Sequence, residues 1–170
     1  MPPPLSLKEE EIEPLDAIPV VSRWVRGTLV GIALGLAVLF AVAACLNPYR
    51  SDGSARRIET HMQLGLPECT FKQVTGLPCP SCGMTTSFAL TIRGDLSDAV
   101  RANSVGVLLA LTLLAAIPWC IASALCRRTI FFQSVERALM VIVIGLLTLM
   151  LLRWAILVGL KVWFRSDAWF

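Results

Sequence analysis

The stretch GTLVGIALGLAVLFAVAACLNPY, residues 27–49, contains no charged side chain over a length that can cross a bilayer. A membrane-spanning helix needs about 20 apolar residues. Residues 102–126 and 138–160 have the same character, interrupted only by Arg153. The sequence therefore predicts an all-α polytopic membrane protein with about three transmembrane helices, over residues 27–47, 102–126 and 138–160. A cysteine-containing loop with short helices is expected over residues 48–101.

The composition agrees with this class of protein. Mean hydropathy is +0.71, and 16% of the residues are charged, whereas charged residues make up about a quarter of a soluble domain. The net charge of +3 is small and scattered, so nucleic acid is not an expected partner. Residues 1–22 are rich in proline and acidic side chains and predict a disordered acidic tail. Residues 23–170 are expected to form a single membrane domain.

The distribution of arginine predicts the orientation of the chain in a cell membrane. The short connection between the second and third spans contains Arg127, Arg128 and Arg137, and such connections face the cytoplasm. The N-terminus, with Arg23 and Arg26 just before the first span, is then cytoplasmic too. The cysteine loop is expected outside, although it also contains several basic residues.

The first span carries two further signals. Gly27, Gly31 and Gly35 lie on one helix face, where small residues let a second helix approach closely. That face predicts a membrane protein partner or a homo-oligomer. Cys45 follows small residues at the end of the span, as in a lipoprotein signal, and so leaves cleavage or lipidation there as an alternative to a retained helix.

The run PCPSCGMTT, residues 78–86, is the candidate chemical centre. Cys79 and Cys82 have the spacing of a zinc knuckle, which needs two more ligands. The same loop offers Cys69 and His61, so the sequence suggests a metal site of Cys69, Cys79, Cys82 and His61, with zinc as the candidate cofactor. A lone histidine is more often a surface or core residue than a ligand.

Two other interpretations of these thiols stay open. Cys79 and Cys82 can cycle between dithiol and disulfide, since Cys82 precedes a predicted helix whose dipole favours the thiolate. The second interpretation is a structural disulfide between two of the three loop cysteines. Around the one histidine no hydrolase triad is evident, and no phosphate-binding glycine loop is present.

Local patterns predict the elements around the cysteines. Residues 58–64 suit a short helix, and residues 65–80 are expected to be irregular because of their glycines and prolines. A helix follows Gly83, and the hydroxyls of Thr85 and Thr86 are expected to cap it, with bonds to carbonyls within the interface as the alternative. Asp95 caps the next helix, which should run through Asn103 into the second span. Pro118 is expected to kink that span. Arg153 is expected to extend along its own helix to the interface near Lys161.

A family resemblance rests on the cysteine run and on the residues after it. The pattern comprises Cys69, Thr75, Gly76, Cys79, Cys82, Gly83 and Thr85, then Gly94, Asp95, Leu96, Ala99 and Asn103 before an apolar span. It resembles the bacterial domain-of-unknown-function family 2752 over about residues 69–114. This resemblance implies a small membrane protein without an established activity. Many members carry arginine where this chain has Thr86 and proline where it has Ser104.

The sequence as a whole favours a non-catalytic binding or accessory component of the membrane, with a loop that is stapled or binds metal. The alternative is a membrane thiol-disulfide oxidoreductase that uses Cys79 and Cys82. Beyond the lipid bilayer and the partner or second copy expected at the glycine face of the first span, the residues specify no partner.

Overall fold

The computed structural model describes residues 22–127 and 135–164. Five α-helices run in the order α1 Arg23–Cys45, α2 Thr70–Thr75, α3 Met84–Ile92, α4 Leu96–Cys126 and α5 Val135–Phe164, with a 3₁₀ helix, Thr60–Leu64, between α1 and α2. No β-strand occurs in these two ranges. The predicted acidic tail lies outside the described residues except for Ser22.

Three of the helices are long and apolar enough to cross a membrane. They are α1, α4 and the part of α5 from Glu136 to Lys161. This finding confirms the predicted helical fold with three candidate spans and supports a multi-pass membrane protein. The loop between α1 and α4 lies at one end of the bundle, which we call the loop end.

Helices α1, α3 and α4 form the core. Near the end opposite the loop, Leu29 and Ala33 of α1 pack on Cys120 and Ala124 of α4. Toward the loop end, Phe40 stacks on Phe88 of α3 with ring centroids 5.8 Å apart. Small residues permit these close helix contacts, as is usual in membrane bundles.

The contact between α3 and α4 depends on Gly106. A Cβ atom at this position would lie 2.2 Å from Ser87 Oγ, closer than any non-bonded contact allows. Ser87 is fully buried, and its hydroxyl donates to the Met84 carbonyl at 2.8 Å. Glycine therefore sets the short separation between the two helices.

Gly27, Gly31 and Gly35 lie on an exposed face of α1. Nothing in the described part of the chain comes within 4 Å of a Cβ built on any of them. The buried face of α1 is the other one, which carries Leu29, Ala33 and Phe40. Association through the glycine face therefore remains a prediction.

The backbone of α4 is interrupted where the sequence predicted continuity. Asn103 has φ −158° and ψ 104°, whereas the residues around Pro118 keep helical angles. The Asn103 side chain is fully buried and its Oδ1 accepts from the Gly106 amide at 3.0 Å. Asn103 thus caps the membrane-spanning part of α4, as asparagine does at helix starts. The prediction of a continuous helix through Asn103 was wrong, because the backbone there is not helical. A kink at Pro118 stays a prediction.

The surrounding caps largely follow the sequence. Asp95 caps α4 by accepting from the Asp98 amide at 3.3 Å, as predicted. The predicted short helix over residues 58–64 is the 3₁₀ helix, and α3 begins after Gly83. The helix α2 was missed, because six residues between glycine and proline segments carry too little periodic signal.

Arg93 ties the end of α3 to the end of α1. Its guanidinium donates to the carbonyls of Ala44 and Leu46, at 2.8 and 2.6 Å, and to that of Ala89 at 2.7 Å. The last carbonyls of a helix have no partner within the helix, so a cation there satisfies them and complements the helix dipole.

We expect Arg93→Met to lower the free energy of unfolding, because the hydrogen bonds to these carbonyls are lost. The loss should be only about 1–2 kcal/mol, because water can replace the exposed guanidinium as their partner. Thermal unfolding of the detergent-purified protein measures the effect. Arg50→Met, an exposed arginine of the same loop, is the matched control and should stay close to the parent protein. Equal losses in the two variants would contradict the assigned role of Arg93.

Candidate functional site

Two segments bring the loop cysteines to the loop end of the bundle. Cys69 is the residue immediately before α2, and Cys79 and Cys82 belong to a tight turn in which the Cys82 amide donates to the Cys79 carbonyl at 3.1 Å. The turn leads through Gly83 directly into α3. All three cysteines are therefore positioned by helix starts or by a hydrogen-bonded turn.

The three thiols converge on one point. Their Sγ atoms all lie within 4.8 Å of one another, and the Sγ atoms of Cys79 and Cys82 are 3.2 Å apart. A tetrahedral zinc ion with Zn–S bonds of about 2.3 Å places its sulfur ligands about 3.8 Å apart. All three side chains are partly buried. The arrangement is thus close to that of a three-thiolate metal site.

His61 lies outside this group of three. Its Nε2 is 3.2 Å from the Pro67 carbonyl oxygen, and the residue lines the same cavity as the cysteines. The structure therefore brings Cys69, Cys79 and Cys82 together and leaves His61 on the neighbouring wall. A role for His61 as the fourth ligand stays a prediction.

Gly83 holds the cysteine turn against α4. Its φ is +82°, and a Cβ there would lie 2.6 Å from the Ala102 carbonyl oxygen and 2.7 Å from that of Arg57. Asn103 Nδ2 donates to the Cys82 carbonyl at 3.1 Å. The backbone from Cys82 to Gly83 is therefore packed against the break in α4, and there is no room for a side chain at position 83.

Thr86 acts differently from the prediction. Its Oγ1 lies 2.8 Å from Thr60 Oγ1, and both residues are buried, with 1% and 0% of their surface exposed. The N-cap residue of α3 is Gly83, and no side-chain hydrogen bond caps this helix. Thr86 thus joins α3 to the 3₁₀ helix instead of capping α3.

An open cavity of about 670 Å³ lies beside the cysteines. Its walls are mainly apolar and include Leu39, Val42 and Leu46 of α1, while Lys72 and Glu59 form an ion pair at its edge. The Glu59 carboxylate raises the pKa of Lys72 through this hydrogen bond, so the ammonium stays charged. The thiols thus open onto an apolar cavity with one cation nearby.

The protein environment separates the thiols by acidity. The backbone amide of Lys72, at the start of α2, lowers the pKa of Cys69 because it stabilises the thiolate. Burial raises the pKa of Cys82 to about 12, and the adjacent Cys79 thiol adds to that effect. Cys69 is therefore the more readily ionised of the two.

Helix α5 contacts the cysteine loop through residues that the sequence placed elsewhere. Trp154 Nε1 donates to the Pro78 carbonyl at 2.8 Å, and its ring meets Phe71 edge to face. Arg153 Nη2 donates to the Ala102 carbonyl at 3.2 Å, so this side chain turns toward α4 and does not simply extend along α5. The sequence signal for this contact was the presence of a charged residue, Arg153, within an apolar span.

Residues 69–117 match the model of a family described as Protein of unknown function (DUF2752). The resemblance is confirmed over this segment. The matched segment contains all three clustered cysteines, Asn103 and Gly106, whereas His61 and Arg153 lie outside it. Its description assigns no activity. No curated protein and no solved structure matches the chain.

We expect Gly83→Ala to destabilise the protein by about 3 kcal/mol, from a positive φ and from overlap with two backbone carbonyls. Gly76→Ala is the matched control, because Gly76 also has a positive φ, +68°, but open space around it. Thermal unfolding in detergent compares the two. A Gly83→Ala variant as stable as Gly76→Ala would show that the contact with α4 is not tight.

The two shifted pKa values predict an order of alkylation in reduced, metal-free protein. Iodoacetamide should modify Cys69 before Cys82 near neutral pH, since the thiolate is the nucleophile. The rate at Cys69 should level off once the pH exceeds its lowered pKa, whereas the rate at Cys82 should keep rising toward pH 12. Peptide mass spectrometry measures both rates, and equal rates at pH 8 would contradict the assignment.

Proposed function

We propose that this protein is a membrane component whose loop binds one thiophilic metal ion in a non-catalytic, binding or accessory role. Cys69, Cys79 and Cys82 supply three sulfur ligands. The observation that carries this proposal is the convergence of three Sγ atoms within 4.8 Å, although Cys69 is ten residues from Cys79 in sequence. A disulfide uses two thiols, whereas a metal ion uses all three.

Zinc is the first candidate metal. It favours tetrahedral sites with sulfur and nitrogen ligands, and a Cys₃His set is one of its usual structural sites. His61 lines the cavity next to the three thiols, so a change in its position would complete that set. Because Cys82 must lose its proton to bind a metal, affinity should fall as the pH falls.

The charge around the cluster also favours bound thiolates. Three thiolates with one divalent ion leave a net charge of −1. Lys72 lines the cavity on one side of Cys82, and Arg153 lines a smaller cavity on the other. Both cations are held by hydrogen bonds and can balance that charge.

The loop is proposed to face away from the cytoplasm. Arg26 Nε donates to the Ala124 carbonyl at 3.0 Å, so the start of α1 and the end of α4 share one end of the bundle. Arg23 and Arg26 at the start of α1 therefore lie at the same end as Arg127, which follows α4, and arginines near short connections favour the cytoplasmic side.

A membrane thiol-disulfide oxidoreductase is the second candidate. The Sγ atoms of Cys79 and Cys82 are 3.2 Å apart in one turn, and a disulfide bond of about 2.05 Å needs only a small approach. In exchange with a disulfide of a partner protein, Cys79 and Cys82 would become oxidised and the partner's two sulfurs reduced. Protons would pass from the two thiols to the partner's thiolates.

The test of the first candidate is metal content and free-thiol count on the same detergent-purified sample. We expect about one zinc ion per chain in the parent protein, the load of a single structural site. Cys69→Ser, Cys79→Ser and Cys82→Ser should each lose it. Cys45→Ser and Cys126→Ser, at exposed cysteines outside the cluster, are the matched controls and should keep it.

Two results would decide against metal binding. One is a metal-free parent protein in which Cys79 and Cys82 switch reversibly between thiol and disulfide, which would favour the oxidoreductase. The other is unchanged zinc in Cys79→Ser.

His61→Ala should weaken zinc binding if His61 is the fourth ligand and leave it unchanged otherwise.

A further inference from the structure

Helix α5 meets the cysteine loop through Trp154. Its Nε1 donates to the Pro78 carbonyl at 2.8 Å, and its ring lies edge to face with the Phe71 ring, with centroids 6.2 Å apart. Phe71 is the second residue of α2, and Pro78 immediately precedes Cys79. One side chain of α5 therefore contacts both ends of the chain segment that joins Cys69 to Cys79. We call this segment, residues 70–78, the intercysteine segment.

Lys161 lies about two turns further along α5 and contacts the same segment. Its Nζ donates to the Gly76 carbonyl at 3.1 Å. Gly76 is the C-cap of α2, and the last carbonyls of a helix have no partner within the helix. The ammonium satisfies one of them, so α5 holds the middle of the intercysteine segment as well as its ends.

The rest of α5 is packed loosely. No residue is buried in its most apolar stretch of 18 residues, whereas 17% and 28% of the corresponding stretches of α1 and α4 are buried. Within residues 22–127 and 135–164, α4 is the one helix whose backbone comes close to that of α5. There Arg153 donates to the Ala102 carbonyl. The position of α5 therefore depends largely on contacts at the loop end.

These contacts couple α5 to the three thiols. A metal ion bound by both Cys69 and Cys79 would close the intercysteine segment into a loop with fixed ends. Such closure removes conformational entropy from the segment, so α5 has less left to order when it docks. Docking in turn holds the two cysteines near the spacing that a metal requires. By linkage, each event must favour the other by the same factor.

We propose that Trp154 is a positioning residue of the metal site, and that metal binding holds α5 against the cysteine loop. Trp154 supplies no ligand atom, because the indole nitrogen is a donor only. It acts through Pro78 and Phe71. This inference rests on the metal-binding role proposed above and adds its regulation: α5 is docked when the loop holds metal and is released when the metal leaves.

The first measurement is the zinc affinity of the full-length protein in detergent, by competition with a chelator. Trp154→Phe keeps an aromatic ring beside Phe71 and loses the Nε1 hydrogen bond. It should weaken zinc binding about fivefold, the size expected for one hydrogen bond. Trp154→Ala also loses the ring contact and should weaken binding further.

Trp163→Phe is the matched control, because Trp163 lies on the same helix with 83% of its surface exposed. It should bind zinc like the parent protein. If Trp154→Phe fails to fold, Phe71→Leu removes the ring contact from the other side and replaces it in the comparison. Equal zinc affinity in the parent protein and in folded Trp154→Phe and Trp154→Ala would overturn the proposal.

The second measurement follows the position of α5 without altering any cysteine. Leu34 of α1 and Val141 of α5 are 63% and 67% exposed, and neither lines a cavity beside the thiols. A ketone-bearing amino acid at each position carries a spin label, and pulsed electron paramagnetic resonance gives the distance between the labels. Zinc should narrow this distance distribution in the parent protein and leave it unchanged in Cys79→Ser.

The outcomes separate the two proposals. Absence of zinc from the parent protein would overturn the metal-binding role and this coupling together. Zinc that binds through the three cysteines but leaves the distance distribution unchanged would overturn the coupling alone. A purely structural role for Trp154 predicts that Trp154→Phe broadens the distribution equally with and without zinc, which would also overturn it.

Discussion

The amide of Asn103 joins the cysteine turn to the membrane-spanning part of α4. Its Nδ2 donates to the Cys82 carbonyl, and its Oδ1 accepts from the Gly106 amide. Both bonds are shielded from solvent, because Asn103 is fully buried. A buried amide that lost one of these partners would leave an unsatisfied polar group, which is costly. The position of the turn and the start of the span are therefore set by one side chain.

The other contacts of the site follow from that attachment. Gly83 can sit against the Arg57 and Ala102 carbonyls because it has no side chain. Gly106 then allows α3 to approach α4, and the Thr60–Thr86 pair holds the 3₁₀ helix in place. With these contacts made, the Sγ atoms of Cys69, Cys79 and Cys82 lie within 4.8 Å of one another. A fold that holds ligand atoms together reduces the entropy that a metal site must lose on binding.

The cysteine turn separates two chemically different environments. One side is an apolar cavity between α1 and the loop, and the other is a small cavity lined by arginines near α5. Burial disfavours the thiolate at Cys82, whereas nearby cations and amides favour it. A metal ion would resolve this conflict, because it replaces the Cys82 proton.

Much of the architecture follows from the sequence by itself. Uncharged stretches of more than 20 residues require helices in a bilayer, since no other open structure satisfies the backbone there. The Asp95 cap and the start of α3 at Gly83 follow from local residue preferences, as does the pairing of Cys79 with Cys82. Tertiary structure alone decided the rest: the break at Asn103, the use of Thr86, the convergence of Cys69, and the turn of Arg153 toward Ala102. Each depends on partners 10 to 51 residues away or on packing, for example Cys69 with Cys79 and Arg153 with Ala102. Local sequence patterns carry no record of such partners.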